Sequence, residues 1–459
     1  MSVDASIACP QSVPPQQAQQ SVPAESAEAA APPAPDVSRQ VAVLLSRLRS
    51  ARKFGDGQSN PWPAYEKLRE CGDVVPSPWG GVMVTSYEAA SAVLRDRSYR
   101  TPDLEWRLKQ GEPRWTSPAS TEFSQMIMLL NAPEHTRQRR VLGNTFDRGT
   151  LDQLGAVVGG LVDGVLDELE VRMKEDGEAD YADIVGDGLP VAAVGRWLGV
   201  PAADYRKLRD WTHGQAWSQE LFPTPAQLAV ADESALNLKA YFEDLVAERT
   251  KSPGEDVLSS WIRAWSEVEK DPQQAATIVQ RLATFSIMAG LETTSNLLNA
   301  AMWLLDRHPD QADWLRYHPE GIPAATEEIL RYDPAVSITT RVGSRSDSLS
   351  DIAVGKGQLV YVCIGSAHHD PRFIADPDRF DVRRPGPSRH LAFGQGAHFC
   401  LGAGLGRLEG HVLLRKLLTR FPTLRVVSEP QWEPRVAFRR MASLRVGLAP
   451  KPRFYSFGA

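Results

Sequence analysis

The chain has little cysteine, no excess of positive charge and no long uninterrupted apolar run. Four cysteines (Cys9, Cys71, Cys363 and Cys400) lie far apart among 459 residues, with no Cys-x-x-Cys pair. That spacing excludes a disulfide framework and argues against a structural zinc site, so a reduced, cytoplasmic protein is expected. The formal net charge of -6 argues against nucleic acid as a partner, because neutralising phosphates needs a basic face. The start of the sequence has no basic stretch followed by an apolar one, so neither a secretory leader nor an anchor helix is expected. The most apolar helical candidate is interrupted by Glu292, between residues 282–291 and 293–305. A bilayer span needs about 20 mostly apolar residues, and a central acid is costly there. A buried helix and no membrane contact are therefore expected.

What is there is enough to build a large core. Hydrophobic residues make up 42% and charged residues 24%, ordinary values for a globular chain. Residues 1–36 are rich in Pro, Ala, Gln and Ser and almost lack aromatic and long aliphatic side chains. Such a segment cannot bury enough surface to offset its ordering entropy, so a disordered tail over 1–40 is expected, followed by a single domain over 41–459. Helical periodicity dominates that domain, as at 138–146, 156–173, 236–249, 275–307 and 324–331. Strand-like pieces are few and short: 82–85, 358–364, 424–427 and 444–448. The stretch 370–389, dense in Pro, Asp and Arg, predicts irregular but ordered coil. The fold class is mainly α, a large helical body with a small β portion.

The most informative stretch is Phe393-Gly394-Gln395-Gly396-Ala397-His398-Phe399-Cys400-Leu401-Gly402, which precedes a helical pattern at 403–418. Glycine lets backbone approach a flat ligand and adopt positive φ. A cysteine beside a helix N-terminus is favoured as thiolate by the dipole and the free N–H groups. A zinc site from His390, His398 and Cys400 lacks a fourth ligand and has the wrong spacing. The stretch resembles the haem-binding pattern Phe-Gly-x-Gly-x-His-x-Cys-x-Gly of the cytochrome P-450 superfamily at every fixed position. The continuation Arg407-Leu408-Glu409 resembles it too, and ordered motifs carry the likeness from about Val41 to Pro450.

That resemblance implies haem b (iron protoporphyrin IX) between the long central helix and the cysteine loop, with Cys400 as the iron ligand. Phe393, Gly394 and Gly402 then shape the loop. His135 and Arg139, four apart on one helical face, join Arg341 and His398 around the haem propionates; without the resemblance the first two read as surface cations. In Ala289-Gly290-Leu291-Glu292-Thr293-Thr294, the resemblance implies that Ala289 and Gly290 leave room for dioxygen. Thr293, able to bond back to the carbonyl of Ala289, organises oxygen and a water, while Glu292 links them to solvent as proton source. Glu328 and Arg331, three apart on one face, join Arg384 in a buried charge network that holds the loop scaffold. His368-His369 stands where relatives often carry Asn-Arg; adjacent side chains rarely face one metal, so a structural role is expected.

The resemblance further implies a monomeric monooxygenase supplied with electrons from NAD(P)H by a ferredoxin and its reductase. The acid followed by Thr-Thr resembles actinobacterial enzymes of secondary-metabolite (polyketide, macrolide or peptide) biosynthesis. Arg137 and Arg140 read either as part of a basic docking patch or as solvated surface charge. Pocket positions in this fold carry Trp106, Trp115, Met126, Met128, Trp217 and Leu221. Phe222, Val336, Ile338 and Met441 complete an apolar lining suited to a bulky apolar substrate. Arg439 and Arg440 could meet an acidic group, with one of the two expected at the surface. Two other classes stay open: a haem-thiolate oxidation other than hydroxylation or epoxidation, such as coupling or dehydration, and a non-catalytic haem sensor or carrier. Product analysis separates the first, and the Glu292–Thr293 pair argues against the second.

Overall fold

A computed structural model describes residues 35–50, 59–143, 145, 148–385 and 389–449. The ordered body starts earlier than the composition suggested, because Pro35–Arg49 is a helix. Val41, Leu44, Leu45 and Leu48 recur at helical spacing and are buried against Tyr65, Leu68 and Met83. Each such side chain contributes about 1.5–3 kcal/mol of hydrophobic burial. Apolar periodicity therefore overrides the Pro/Ala-rich composition from residue 35 onward. The rest of the expected tail, residues 1–34, lies outside the described residues.

The centre of the protein is the helix Pro272–Arg307, 36 residues long and about 54 Å at 1.5 Å per residue. Asp271 caps it by accepting from Gln273 N–H, and Pro272 occupies its first turn. Its faces are buried in two apolar clusters, one shared with Gly188–Leu198 and Pro225–Lys251, the other with Ile322–Tyr332. The helix after the cysteine loop is Ala403–Arg420, close to the expected 403–418. The remaining helices largely extend the expected spans: Arg148–Asp176 and Pro225–Lys251 begin before their apolar periodicity does. In the second, Thr224 and Gln227 form a reciprocal capping box that starts the helix. The span expected at 138–146 is corrected to Glu134–Val141, and Asn144 and Phe146 lie outside the described residues.

The β portion is small. One sheet has five strands in the spatial order Val74–Pro76, Val82–Val84, Leu359–Cys363, Ile338–Gly343, Tyr99–Arg100. Val82–Val84 pairs in parallel with Leu359–Cys363, and the other neighbours are antiparallel. Arg445–Leu448 pairs with Ala179–Asp180 on one edge and Leu424–Val426 on the other. The described part of 370–389 contains no helix or strand, as expected. No described helix is long and apolar enough to cross a membrane. A cavity of about 360 Å³ separates the middle of the long helix from the cysteine loop, and the sheet residues Ile338–Arg341 form part of its wall.

Candidate active site

The cysteine loop is shaped by its glycines. Gly394 and Gly396 have φ of 66° and 70°, the left-handed region where a side chain is strained. A Cβ at Gly396 would also stand 2.6 Å from the carbonyl oxygen of Leu94, so only glycine fits that contact. Cys400 N–H donates to Phe393 O at 2.9 Å, closing the loop and turning the thiol onto the cavity. Burial raises the thiol's pKa, and the N–H groups of Gly402 and Ala403 with the Arg139 and Arg407 guanidiniums offset this only in part. Coordination to a metal deprotonates a thiol outright.

Beside Cys400 the same cavity gathers His135, Arg139, Arg341 and His398. The His135 and His398 rings lie 4.0 Å apart between centroids. Burial and Arg139 push His135 down to about 4, and burial, His135, Arg341 and Arg139 push His398 down to about 3. Arg341 is buried, which lowers its pKa to about 10, and it donates to Thr340 O at 2.8 Å. Arg139 donates to Phe399 O at 2.9 Å. Neither arginine has a carboxylate partner among the described residues. A buried guanidinium such as Arg341 is costly without a counter-ion, and half-buried Arg139 beside it lacks one too, so this donor set fits a ligand that brings its own carboxylates. Together with the thiol it fits haem b.

The long helix supplies the opposite wall. Ala289, Gly290 and Thr293 all line the cavity. Thr293 Oγ1 donates to Ala289 O at 2.7 Å, the back-bond its spacing allows. Gly290 matters for packing as well. A Cβ there would stand 2.6 Å from Val194 Cγ2, so the glycine also lets Gly188–Leu198 lie closely on the long helix.

Glu292 has more partners than its sequence neighbours suggest. Its Oε1 accepts from Arg435 at 2.7 Å, and its Oε2 lies 2.7 Å from His213 Nδ1. The other imidazole nitrogen lies 3.0 Å from Asp187 Oδ2, and Asp187 also accepts from Arg440 and from Ser295 Oγ. Glu433 joins Arg435 to Arg440. Burial disfavours the Glu292 carboxylate, but Arg435 and His213 outweigh it and hold the group at about 2. His213 is raised: Asp187 and Glu292 overcome both burial and Arg440. Glu292 is thus the inner end of a five-partner ion network rather than a lone acid. No local motif signals His213, Asp187, Glu433, Arg435 or Arg440, which come from separate segments.

Glu328 and Arg331 form a bidentate pair at 2.8 and 2.9 Å, and Arg384 Nε reaches Glu328 Oε1 at 3.2 Å. Arg384 also donates to the carbonyls of Ala375, Asp376 and Arg379. His368 Nδ1 lies 2.8 Å from Arg331 O, while its Nε2 accepts from Leu391 N–H at 2.6 Å, which leads into the cysteine loop. His369 stacks on Trp62 at 4.3 Å and bonds Asp378 and Tyr332 O. The two imidazoles face different partners, as adjacent side chains do.

Of the expected lining, Trp115, Met128, Leu221, Val336 and Ile338 face the cavity. Trp106, Met126, Trp217, Phe222 and Met441 do not, and each has another partner. Trp106 Nε1 donates to Gly357 O, and its ring meets the edge of Trp115. Met126 and Met441 are core residues. Trp217 lies under the Arg435 guanidinium at 4.5 Å, and Phe222 meets Trp79 edge-on. Segment position alone does not tell which face of a turn points inward. Phe123 and Ile127, four apart, and Leu282, Phe285 and Ala289, at helical spacing, also line the cavity, and that periodicity was readable. Arg439 and Arg440 are both buried, on Asp333 and on Asp187 with Glu433, so neither is at the surface. Arg137 is held by Glu134 and Glu269 over the Trp265 ring, whereas Arg140 is exposed.

A glycine-bent cysteine loop, uncompensated cations beside it and a helix with a back-bonded threonine opposite define a haem-thiolate oxygenase. The family model for cytochrome P450 matches residues 322–454, which include the Glu328 helix and the cysteine loop. Cytochrome P450 monooxygenase PikC of Streptomyces venezuelae is 32% identical over 402 residues, 85% of this chain and 92% of that protein. Polyketide biosynthesis cytochrome P450 PksS of Bacillus subtilis is 28% identical over 83% of this chain and 92% of its own length. The crystal structure of P450BioI in complex with acyl carrier protein ligated to hexadec-9Z-enoic acid superposes with a TM-score of 0.78 at 27% identity. It covers 87% of this chain and 100% of that one. The chain belongs to the cytochrome P450 family. It is a haem-dependent monooxygenase whose electrons come from NAD(P)H through separate redox partners.

Proposed function

We propose that this monooxygenase hydroxylates or epoxidises a bulky, largely apolar secondary metabolite of polyketide, macrolide or peptide type. The supporting observation is the cavity itself, where Phe123, Ile127, Leu221, Phe285 and Phe438 surround the space between Thr293 and Cys400. Apolar walls with few polar groups suit such a ligand. PksS is named for polyketide biosynthesis and P450BioI is solved with a fatty-acyl carrier, which fits the same substrate chemistry.

In this reading Cys400 Sγ ligates the iron, within the loop made by Phe393, Gly394 and Gly402. His135, Arg139, Arg341 and His398 hold the propionates, and charge-assisted bonds of this kind contribute about 1.5–3 kcal/mol each. Ala289 and Gly290 keep the opposite wall low. Bound there, thiolate-ligated haem supplies the oxygen-activating chemistry, with the thiolate favouring O–O cleavage. Thr293 Oγ1 exchanges its bond to Ala289 O for one to an incoming water or oxygen and passes a proton inward. Glu292 Oε2 takes a proton from His213 Nδ1 and releases it toward Thr293. A ferredoxin is the electron donor, the protein works as a monomer in the cytoplasm, and the catalytic domain begins with the helix Pro35–Arg49.

The first test is the carbon-monoxide difference spectrum of the dithionite-reduced protein, for wild type and Cys400→His. A strongly red-shifted Soret band in wild type alone supports the assignment of Cys400. A band at the position of histidine-ligated haem in wild type, or no haem, overturns it. Spin-state shifts with bulky apolar metabolites then test the substrate class.

A further inference from the structure

Glu220 is a buried acid for which the roles above have no use. It follows the short turn Ala216–Gln219, which continues the helix Tyr205–Gln215 over the cavity. Its carboxylate accepts three consecutive backbone N–H groups: Val436 at 2.8 Å and Ala437 at 3.0 Å on Oε2, and Phe438 at 3.0 Å on Oε1. The far edge of that segment is already sewn to another wall. Ala437 O accepts from Ser337 and Ile338 N–H, and Arg439 N–H donates to Ala335 O. One carboxylate thus satisfies three consecutive amides of a bend, and without it they would lose their acceptor. Burial raises the Glu220 pKa against the pull of Arg435 and the three amides, so the carboxylate is kept at a cost. Glu220, Leu221, Val336, Ile338 and Phe438 all line the cavity.

We propose that Glu220 is a positioning residue for ligand selection: it clasps the roof turn to the Val436–Phe438 wall and so fixes the span between Leu221 and Phe438. The proposal rests on the reading of this cavity as the substrate site. A carboxamide keeps the size of the side chain but offers one acceptor oxygen and turns an N–H₂ toward the backbone amides. Glu220→Gln therefore loosens the roof from the wall without emptying the space.

The test uses the haem-loaded full-length protein, with imidazole and the bulky triaryl imidazole clotrimazole as probes, read by the nitrogen-ligation shift of the Soret band in stopped flow. Glu220→Gln should speed clotrimazole association by about tenfold, the size of one lost charge-assisted bond, and change imidazole by less than about twofold. Equal changes for both probes, or none for either, would overturn the clasp. No shift with either probe in wild type would instead overturn the reading of the cavity. Amide exchange of the wild-type segment 434–440 decides the clasp independently, and also if Glu220→Gln fails to load haem. Slow exchange at 436–438, lost in Glu220→Asp, supports it, and exchange at the rate of unbonded amides in wild type sinks it.

Discussion

The Glu328 and Glu292 clusters each bury a helical carboxylate in a group that holds two arginines, yet they are built from different distances along the chain and different chemistry. Glu328 pairs with Arg331 one turn away, and the remaining partners are Arg384 and fixed backbone groups: the amide of Asp381 and five carbonyls. Nothing in that set changes charge near neutral pH. Glu292 gathers Arg435 and His213 from distant segments, and through His213 it reaches Asp187 and Arg440. With the imidazole protonated, Asp187, Glu292 and Glu433 balance Arg435, Arg440 and His213. Loss of that one proton leaves an uncompensated negative charge beside the cavity. A buried pair of the first kind acts as scaffold, whereas one that includes a histidine can respond to protons.

Breaking the scaffold should have the largest effect. Glu328→Ala leaves two guanidiniums without their carboxylate, a loss of about 3–5 kcal/mol, and should abolish haem incorporation as read from the carbon-monoxide spectrum. A normally loaded variant would remove the structural role of the pair. On the other side of the cavity, Thr293→Ala deletes a hydroxyl that donates to Ala289 O. The fold should survive, while product formed per oxygen consumed falls by about tenfold or more, within the range of general acid–base effects. Unchanged coupling would end the role assigned to Thr293.

The contrast sharpens in pH. A raised His213 pKa contributes stability that is fully present below the unfolded value, about 6.5, and is lost as pH rises through the folded one. Glu292, held at about 2, contributes stability present above its unfolded value near 4.3 and lost only as pH falls toward 2. Melting temperature should therefore decline as pH rises above about 6.5, and His213→Gln should flatten that decline. An equal slope in both proteins would place the titration elsewhere. The smallest effect is expected at the surface. Charge reversal at Arg137 and Arg140 should slow reduction by ferredoxin more at low salt than at high. A rate insensitive to both changes would leave Arg140 as solvated charge and Arg137 as a member of its ion pairs with Glu134 and Glu269.

Legibility follows the same division. The cysteine loop, the Thr293 back-bond and the Glu328–Arg331 pair each depend on residues within ten positions of one another, so spacing alone carries them. The pocket positions at Trp106, Met126, Trp217, Phe222 and Met441 were misplaced because their segments turn, and only packing decides which side faces in. The helix at Pro35–Arg49 was hidden by composition, although its apolar spacing was present.

By itself the sequence determined a mainly helical protein, a thiol in a glycine-bent loop and an acid–alcohol step in a long buried helix. These are set by local rules: helical period, positive φ at glycine and hydrogen bonds within one turn. Tertiary structure alone decided that Glu292 is neutralised by Arg435 and His213, that Arg439 and Arg440 are internal, and that Glu220 serves as acceptor for three consecutive amides of a remote bend. Each of those contacts joins residues more than 70 positions apart. Buried charges find their partners through the packing of whole elements, and no short pattern in the chain encodes which ones meet.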